Sequence, residues 1–535
     1  MSSLITVMSS GVKCGIKQTI WQSQLPSSQT FTTTFAPQLV AATSAETTIK
    51  QQKAVRSTWE IPGPRSYPLV KSLPYIVMDE FSLPGNFHLF FQKLMKNYGP
   101  IVRLENPFTP PMVAVVRPDY AEAVIRATME NPIRKAFLSL KKIREEAADN
   151  YFERKTGILA ENGEEWWRVR SQVQTHMLKV KNVLTYLSSM DEITMEFMNR
   201  IALLQSQHGE MPSDFQTELY KWALESIGLV TLNRRLGCLK PDLTENSEPL
   251  KLIRLVNEVF HGLNETEFSI HLWTLFPTSS YKKLKRSHDE FLRLADRNIC
   301  ETEASLLAQS PDDDRDITLM EMLLLSPGLS RKDVVTLILD MLFAGIDTTS
   351  HTIGFTLYLL ARNPEVQAQL QKEVDTVLGD HQGPIMQRHL AQLSYLKAVI
   401  KESMRIFPLV IGTARAVDKD IVLGGYCVPK GWSVFIVNML MGWDESLFPR
   451  AKEFLPERWL RHKPFGPIHP YASLPFGAGT RMCVGRRIAE QEMVVFLTRV
   501  MQQFTVKYEH EDIEIKSGFV FTPSQPLRFS FMKRH

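Results

Sequence analysis

Apolar positions recur at helical spacing along most of the chain from about residue 85 to 405. Ser310 and Pro311 followed by Asp312, Asp313 and Asp314 read as a solvated loop, and Ser326, Pro327 and Gly328 as a second break. The segment after that break is the most informative. Ser330 is a predicted N-cap with Asp333 three residues on. No breaker follows until Asn363 and Pro364, which end one helix and start the next. The helix so predicted has about 32 residues and is roughly 48 Å long at 1.5 Å per residue. Residues 334–346 are apolar on nearly every face, Thr336 and Asp340 excepted, and such a helix is buried on most sides. A buried rod of that length belongs in the middle of one large domain. The 535 residues are therefore read as one main folding unit, although length alone suggests about three domains. The C-terminal quarter has another texture, rich in Pro and Gly with short β-like runs at 432–437 and 519–522. The chain shows no internal repeat at periods of about 20–50 residues.

The first sixty residues do not read as core. Residues 1–45 hold no Asp or Glu and are dense in Ser and Thr, and Arg56 is the first arginine. Acid-poor, Ser-rich sequence matches an organelle transit peptide; the missing arginines count against the mitochondrial kind and leave a plastid kind open. No run of about 18 apolar residues marks a spanning anchor there, and no compact apolar stretch marks a secretory signal. The folded region is expected to begin near Ile61, Pro62, Gly63 and Pro64. At 44% hydrophobic and 22% charged the composition is that of a globular protein. A net charge of +4 is too mild to point to nucleic acid. The five cysteines, Cys14, Cys238, Cys300, Cys427 and Cys483, are widely spaced with no C-x-x-C, so neither a zinc site nor a disulfide framework is expected.

Four constellations carry candidate chemistry. In the first, Phe476, Gly477, Ala478, Gly479, Thr480, Arg481, Met482, Cys483, Val484 and Gly485 make a glycine-rich loop that lets backbone approach a ligand, with a helix starting just after it. Cys483 then sits at a helix N-terminus, where free N–H groups favour a thiolate, and Arg481 is placed to pair with a carboxylate. In the second, Ala344, Gly345, Ile346, Asp347, Thr348 and Thr349 lie halfway along the long helix. Gly345 costs a helix interior about 1 kcal/mol and can let it bulge, while Thr348 can bond back to the backbone. In the third, Glu402 and Arg405 share a helix face, and Arg458 follows some fifty residues on within Pro456, Glu457, Arg458 and Trp459. In the fourth, Trp166 and Arg170 are i and i+4 after Gly163.

Taken together over residues 58–535, these motifs resemble the cytochrome P450 superfamily of haem-thiolate monooxygenases, and specifically its mitochondrial type in animals. The resemblance implies a mainly α (α+β) fold, helix-rich with small β-sheets, holding haem b between the long central helix and the cysteine loop. It implies Cys483 as axial thiolate ligand, Phe476 as the start of the haem loop, and Arg481, Trp166, Arg170 and Arg415 as the residues around the haem propionates. It makes Asp347 and Thr348 the residues that deliver two protons during oxygen activation, and Glu402, Arg405 and Arg458 a structural triad that holds the cysteine loop.

The chain carries no G-x-G-x-x-G fingerprint, so electrons must come from another protein. Lys397 and Lys401, i and i+4 beside Glu402, and Arg486 and Arg487 after the cysteine resemble the face on which mitochondrial members dock an adrenodoxin-like [2Fe–2S] ferredoxin, itself served by a ferredoxin reductase. That resemblance places the protein on the matrix side of the mitochondrial inner membrane, with residues 1–57 as the transit segment. Phe268, Ile270, Leu272, Trp273, Leu275 and Phe276, followed by Lys282, Lys283, Lys285 and Arg286, suit a peripheral membrane contact. The substrate is expected to be small and lipophilic, sterol-like or xenobiotic, contacted by the region before Trp166, 263–280, 335–344, 409–413 and 519–521. Two rivals stand beside the O₂-dependent monooxygenase: a haem-thiolate isomerase or synthase that needs no redox partner, and a non-catalytic haem-binding or sensing protein. Thr348 and the basic face count against the first, and the Asp347–Thr348 pair against the second.

Overall fold

A computed structural model describes residues 55–79, 85–208, 211–269, 271–307, 317–379, 381 and 383–534. The acid-poor leader up to residue 54 and the loop at Asp312, Asp313 and Asp314 lie outside the described residues. Most of the rest is helical. The helices that position the site are α1 (Gly163–Met177), α2 (Phe215–Leu232), α3 (Glu248–Glu267), α4 (Ser279–Leu307), α5 (Arg331–Arg362), α6 (Ser394–Ile406) and α7 (Arg486–Gln503).

Helix α5 is the long helix expected from the sequence, with both ends where local chemistry puts them. The Asp333 N–H donates to Ser330 Oγ at 3.3 Å, and the Ser330 N–H donates to Asp333 Oδ2 at 2.7 Å, which is the reciprocal capping box. Arg168 of α1 reaches the same carboxylate through two bonds of 2.8 and 3.1 Å and fixes the start of α5 against α1. Asn363 closes the helix and Pro364 opens the next. Of its 32 residues, 25 are buried. Its length and apolar composition would suffice to cross a membrane, yet 83% of the qualifying window is buried inside the protein, so it is a core helix.

Two apolar cores meet along α5. Residues 334–346 belong to one, with α3, α4 and the first helices, whereas Ile353, Phe355 and Leu357 belong to the other, with α6, α7 and the C-terminal strands. Each fully buried Leu or Phe is worth about 1.5–3 kcal/mol relative to exposure. A helix shared by both cores couples them into one unit, and Ala54–His535 is such a unit. Against α2, α5 crosses at Gly345. A Cβ there would stand 2.8 Å from Ile227 Cγ1, so the glycine sets how closely the two helices approach. The helix runs through Gly345 unbroken; the bulge that the sequence suggested is not formed.

A mixed sheet lies at one side. Strands β1 (Ile101–Leu104), β2 (Met112–Val115), β3 (Thr413–Ala416) and β4 (Ser433–Ile436) run in the order β1-β2-β4-β3, with β2 and β4 parallel and the outer pairs antiparallel. Strand β4 is the apolar run read at 432–437. Strands β1 and β2 fall inside the span read as helical, because four residues are too few to show a period of two. Farther on, β5 (Ile515–Ser517) pairs with β6 (Phe521–Pro523), overlapping the run read at 519–522.

Candidate functional site

The cysteine loop precedes α7. Gly477 and Gly479 have φ of 68° and 75°, a left-handed conformation that side chains disfavour. At Gly479 a Cβ would also meet Met129 Sδ at 2.9 Å. The turn is closed by the Cys483 N–H, which donates to the Phe476 carbonyl at 2.8 Å. Helix α7 starts at Arg486 with Gly485 as its cap. Its first N–H groups do act on Cys483 as the sequence suggested, but they do not dominate. Cys483 is exposed at the surface of the loop, yet the protein packed around its thiol desolvates it enough to push its pKa above the ordinary value, and the N–H groups of Gly485 and Arg486 and the charges of Arg170 and Arg486 only offset part of that.

Around this loop four arginines converge. Arg481 is 8% exposed. Its guanidinium donates only to neutral oxygens: the Pro132 and Glu161 carbonyls at 3.0 and 2.6 Å and Asn162 Oδ1 at 2.7 Å. Burial and the nearby charges of Arg134, Arg415 and Arg170 push its pKa down to about 8. Arg170 on α1 donates to the Met482 carbonyl at 2.8 Å, and Arg415 on β3 to the Ala414 carbonyl at 2.8 Å. Burial lowers Arg134, Arg170 and Arg415 to about 10 each. Trp166, 2% exposed, lies under the Arg481 guanidinium at 4.8 Å, and its indole N–H is among the buried donors without a partner. Arg134 escaped the sequence reading; it stands in an ordinary-looking turn after Asn131 and Pro132, and only the fold brings it here. Glu161 and Asp340 lie near enough to offset part of the charge on Arg481 and Arg134, but no carboxylate accepts a hydrogen bond from the four guanidiniums, and clustered buried cations cost several kcal/mol unless an anion joins them. A dianionic, flat prosthetic group beside a thiol fits this donor set.

On the central helix, Thr348 Oγ1 donates back to the Ala344 carbonyl at 2.7 Å. Asp347 is buried and turned toward α2, where Oδ1 accepts from the Tyr220 hydroxyl at 3.2 Å. His351 stands one turn further on, with Nδ1 3.5 Å from the same oxygen. Glu492 of α7 accepts from Ser226 of α2 at 2.6 Å, and burial pushes its pKa up to about 7.

The triad forms as expected. Glu402 Oε1 accepts from Arg405 at 2.8 Å and Arg458 at 3.0 Å, and Oε2 from Arg405 at 2.9 Å and the Trp459 indole at 2.8 Å. Lys397 and Lys401 are exposed on α6. Arg486 and Arg487 both pair with Glu490, at 2.8 and 3.3 Å, and Glu490 is also close enough to act on Lys397. The four cations therefore share one face, moderated by that carboxylate and by Glu373.

The expected substrate segments converge. Phe519 touches Phe137 and Phe268 with ring centroids 4.5 and 6.0 Å apart, Phe260 of α3 stacks on Phe343 of α5 at 4.1 Å, and the Phe521 N–H donates to the Leu409 carbonyl at 2.7 Å. The expected membrane segment needs one correction. Trp273 is 4% exposed, stacked on Tyr281 at 5.5 Å, and donates its indole N–H to the Thr266 carbonyl at 2.9 Å. It is core, because a buried indole needs an acceptor and the end of α3 supplies one. The exposed apolar side chains there are Leu272, Leu275 and Phe276, and Ile270 lies outside the described residues.

A thiol in a glycine loop, clustered cations that no carboxylate hydrogen-bonds and a central helix with an acid–alcohol pair define a protein built to hold an anionic prosthetic group beside apolar side chains. The cytochrome P450 family model matches residues 61–531, and the chain belongs to that family, whose members are monooxygenases using haem held by a cysteine thiolate, O₂ and a redox partner. The chain is 33% identical over 92% of its length to "Probable cytochrome P450 49a1" of Drosophila melanogaster, 85% of which is covered. It is 31% identical to "Probable cytochrome P450 301a1, mitochondrial" and 34% identical to "Probable cytochrome P450 12a5, mitochondrial" of the same organism, over 89% and 82% of this chain and 87% and 84% of theirs.

Proposed function

We propose that this monooxygenase hydroxylates a small lipophilic molecule, sterol-like or xenobiotic, with electrons from an adrenodoxin-like [2Fe–2S] ferredoxin. The observation that carries the site assignment is the cluster of Arg134, Arg170, Arg415 and Arg481 around the Cys483 loop, whose guanidiniums donate to neutral oxygens and to no carboxylate, with Glu161 and Asp340 near enough to offset only part of the charge. Cys483 would hold the iron, while the four arginines and the Trp166 indole N–H would hold the propionates, with Phe476 opening the loop. Bound there, haem supplies activation of O₂ and transfer of one oxygen atom to the substrate. The chain's own residues do the rest. Thr348 Oγ1 and the Asp347 carboxyl hold and pass protons, and Phe137, Phe260, Phe343 and Phe519 exclude water and orient an apolar substrate. A difference spectrum of the haem Soret band across a sterol and lipophile panel identifies the substrate class. Product formation that needs neither reductant nor O₂ would favour the isomerase reading, and haem binding with no turnover of any panel member the sensor reading.

Relatives named mitochondrial support the mitochondrion. We further place the protein on the matrix side of the inner membrane, with residues 1–57 as transit segment and 58–535 as the catalytic domain. Lys397, Lys401, Arg486 and Arg487 form the docking face, where opposite charge steers the ferredoxin. Replacing both Lys397 and Lys401 by Glu is expected to raise the apparent ferredoxin KM at least about tenfold, a change of about 1.4 kcal/mol. The CO-bound spectrum should not move; unchanged kinetics would overturn the assignment. Peripheral membrane contact is assigned to Leu272, Leu275 and Phe276 beside exposed Lys282, Lys283 and Arg286. Leu275→Ser with Phe276→Ser should weaken liposome binding by about tenfold or more, since each inserted side chain is worth about 1.5–3 kcal/mol. Liposome binding equal to wild type would remove this segment from the contact.

A further inference from the structure

The face of Asp347 turned away from Thr348 is unusually well furnished. Tyr220, Asp347 and His351 are 9%, 3% and 3% exposed, so water does not compete for their hydrogen bonds. His351 Nδ1 lies 2.9 Å from the Asp347 backbone carbonyl, an acceptor only, so Nδ1 carries a hydrogen. His351 Nε2 is 3.4 Å from the Tyr220 hydroxyl oxygen, and that hydroxyl is 3.2 Å from Asp347 Oδ1. The other carboxylate oxygen, Oδ2, is buried without a hydrogen-bond partner. The three side chains thus make one line, Nε2 to hydroxyl to Oδ1, with Oδ2 left over.

We infer that His351 and Tyr220 form a relay that reloads Asp347 with protons, a role that rests on the reading of Asp347 as the proton donor of the site. The transfers balance. At rest the Asp347 carboxylate faces the His351 imidazolium across the Tyr220 hydroxyl. The Tyr220 hydroxyl proton moves to Oδ1, and Tyr220 takes the Nε2 proton of the imidazolium in return. His351 is left neutral, its Nδ1–H still on the Asp347 carbonyl. A half-turn of the carboxyl group carries the new proton to the other side, where it is released and the carboxylate is restored. His351 regains its proton from solvent, which closes the cycle.

Electrostatics agree. Burial alone would lower the His351 pKa, but the charge and hydrogen bonds of Asp347, with Asp214 adding to them, raise it above its ordinary value. Burial, with Asp347 next to it, raises Tyr220 well above its ordinary range, so it passes protons as a neutral hydroxyl and does not ionise. Among the described residues, the titratable groups that act on His351 are Asp347 from its own helix, Tyr220 from α2 and Asp214 at the N-cap of α2. A raised imidazole pKa contributes stability that is complete below the unfolded value of about 6.5 and is lost as pH rises through the higher folded value.

Three variants of the holoenzyme test the relay: His351→Gln, Tyr220→Phe, which removes one oxygen and keeps the ring, and Asp347→Asn. Product formed per reductant consumed in the wild type should fall as pH rises through the folded pKa of His351. In His351→Gln and Tyr220→Phe product formation should be reduced by about tenfold or more and lose that pH dependence, with peroxide appearing in place of product. The thermal stability of His351→Gln should also lose the pH-dependent step seen in the wild type. A wild-type pH profile of coupling in Tyr220→Phe, with Asp347→Asn uncoupled, overturns the relay alone. Wild-type coupling in Asp347→Asn overturns the role of Asp347 and the relay with it.

Discussion

Glu402→Gln is expected to destabilise the protein by about 3–5 kcal/mol and to strip it of haem on purification. Glu402, Arg405 and Arg458 have side chains at most 1% exposed. Glu402 accepts from Arg405, Arg458, Trp459 and the Leu455 N–H, so every acceptor position is used. Glutamine presents an amide N–H₂ where the carboxylate takes donors, and two like charges then face each other without a counter-ion. The arginines cannot leave, because Arg405 also donates to the Gly442 and Ala451 carbonyls at 2.7 Å each and Arg458 to the Arg450 carbonyl at 2.6 Å. Gly442 ends the short helix Asn438–Gly442, and Arg450 and Ala451 lie in the irregular segment that follows toward the cysteine loop, so disordering that segment removes support from the loop. Against a total stability of about 5–15 kcal/mol this is a large share. Thermal unfolding with haem content read in parallel measures it; a loss below about 1 kcal/mol would mean the triad is dispensable.

How much of this was readable in the chain depends on how local each cause is. Both ends of α5 were legible because a capping box spans four residues and an Asn-Pro break spans two. The glycine loop was legible because a tight turn next to a ligand must be written in adjacent positions. The triad partners were visible as residue types at plausible spacing, although only the fold shows that they are buried. Arg134 was not legible: it matters through convergence with Arg170, Arg415 and Arg481, and nothing around residue 134 records that. Tyr220 is separated from His351 by 131 positions, and a tyrosine on an apolar helix looks like packing until its hydroxyl meets an acid. Trp273 was misassigned because an aromatic residue beside lysines reads the same whether it faces lipid or core. The helix bulge at Gly345 failed for a related reason: close approach of Ile227 explains the glycine without any distortion of the backbone.

Cys483→Ala and Arg481→Leu should separate the two functions of the loop, ligation and anchoring. In Cys483→Ala the arginines, Asn162 and the carbonyls that position them are untouched, so haem should still be taken up, held mainly through its carboxylates. Oxygenation should fall below detection, and the reduced CO complex should lose the red-shifted band that thiolate ligation gives. Arg481→Leu removes the most crowded cation of the cluster and leaves the thiol in place. Without the anion this substitution relieves repulsion but leaves the Pro132, Glu161 and Asn162 oxygens unpaired, two effects of opposite sign, so the test is read on haem content. With haem the same change removes a charge-assisted contact worth about 1.5–3 kcal/mol, so haem content should drop while the fraction retained keeps its thiolate band. A thiolate band that survives in Cys483→Ala would require another cysteine near the site, and among the described residues Cys238 is buried elsewhere beside Glu225, Cys300 is exposed beside Arg331, and Cys427 lies in the hairpin strand Tyr426–Val428. None of them is placed to substitute, so survival of the band would refute the assignment of Cys483, whereas a haem content of Arg481→Leu equal to wild type would refute Arg481 as part of the anion site.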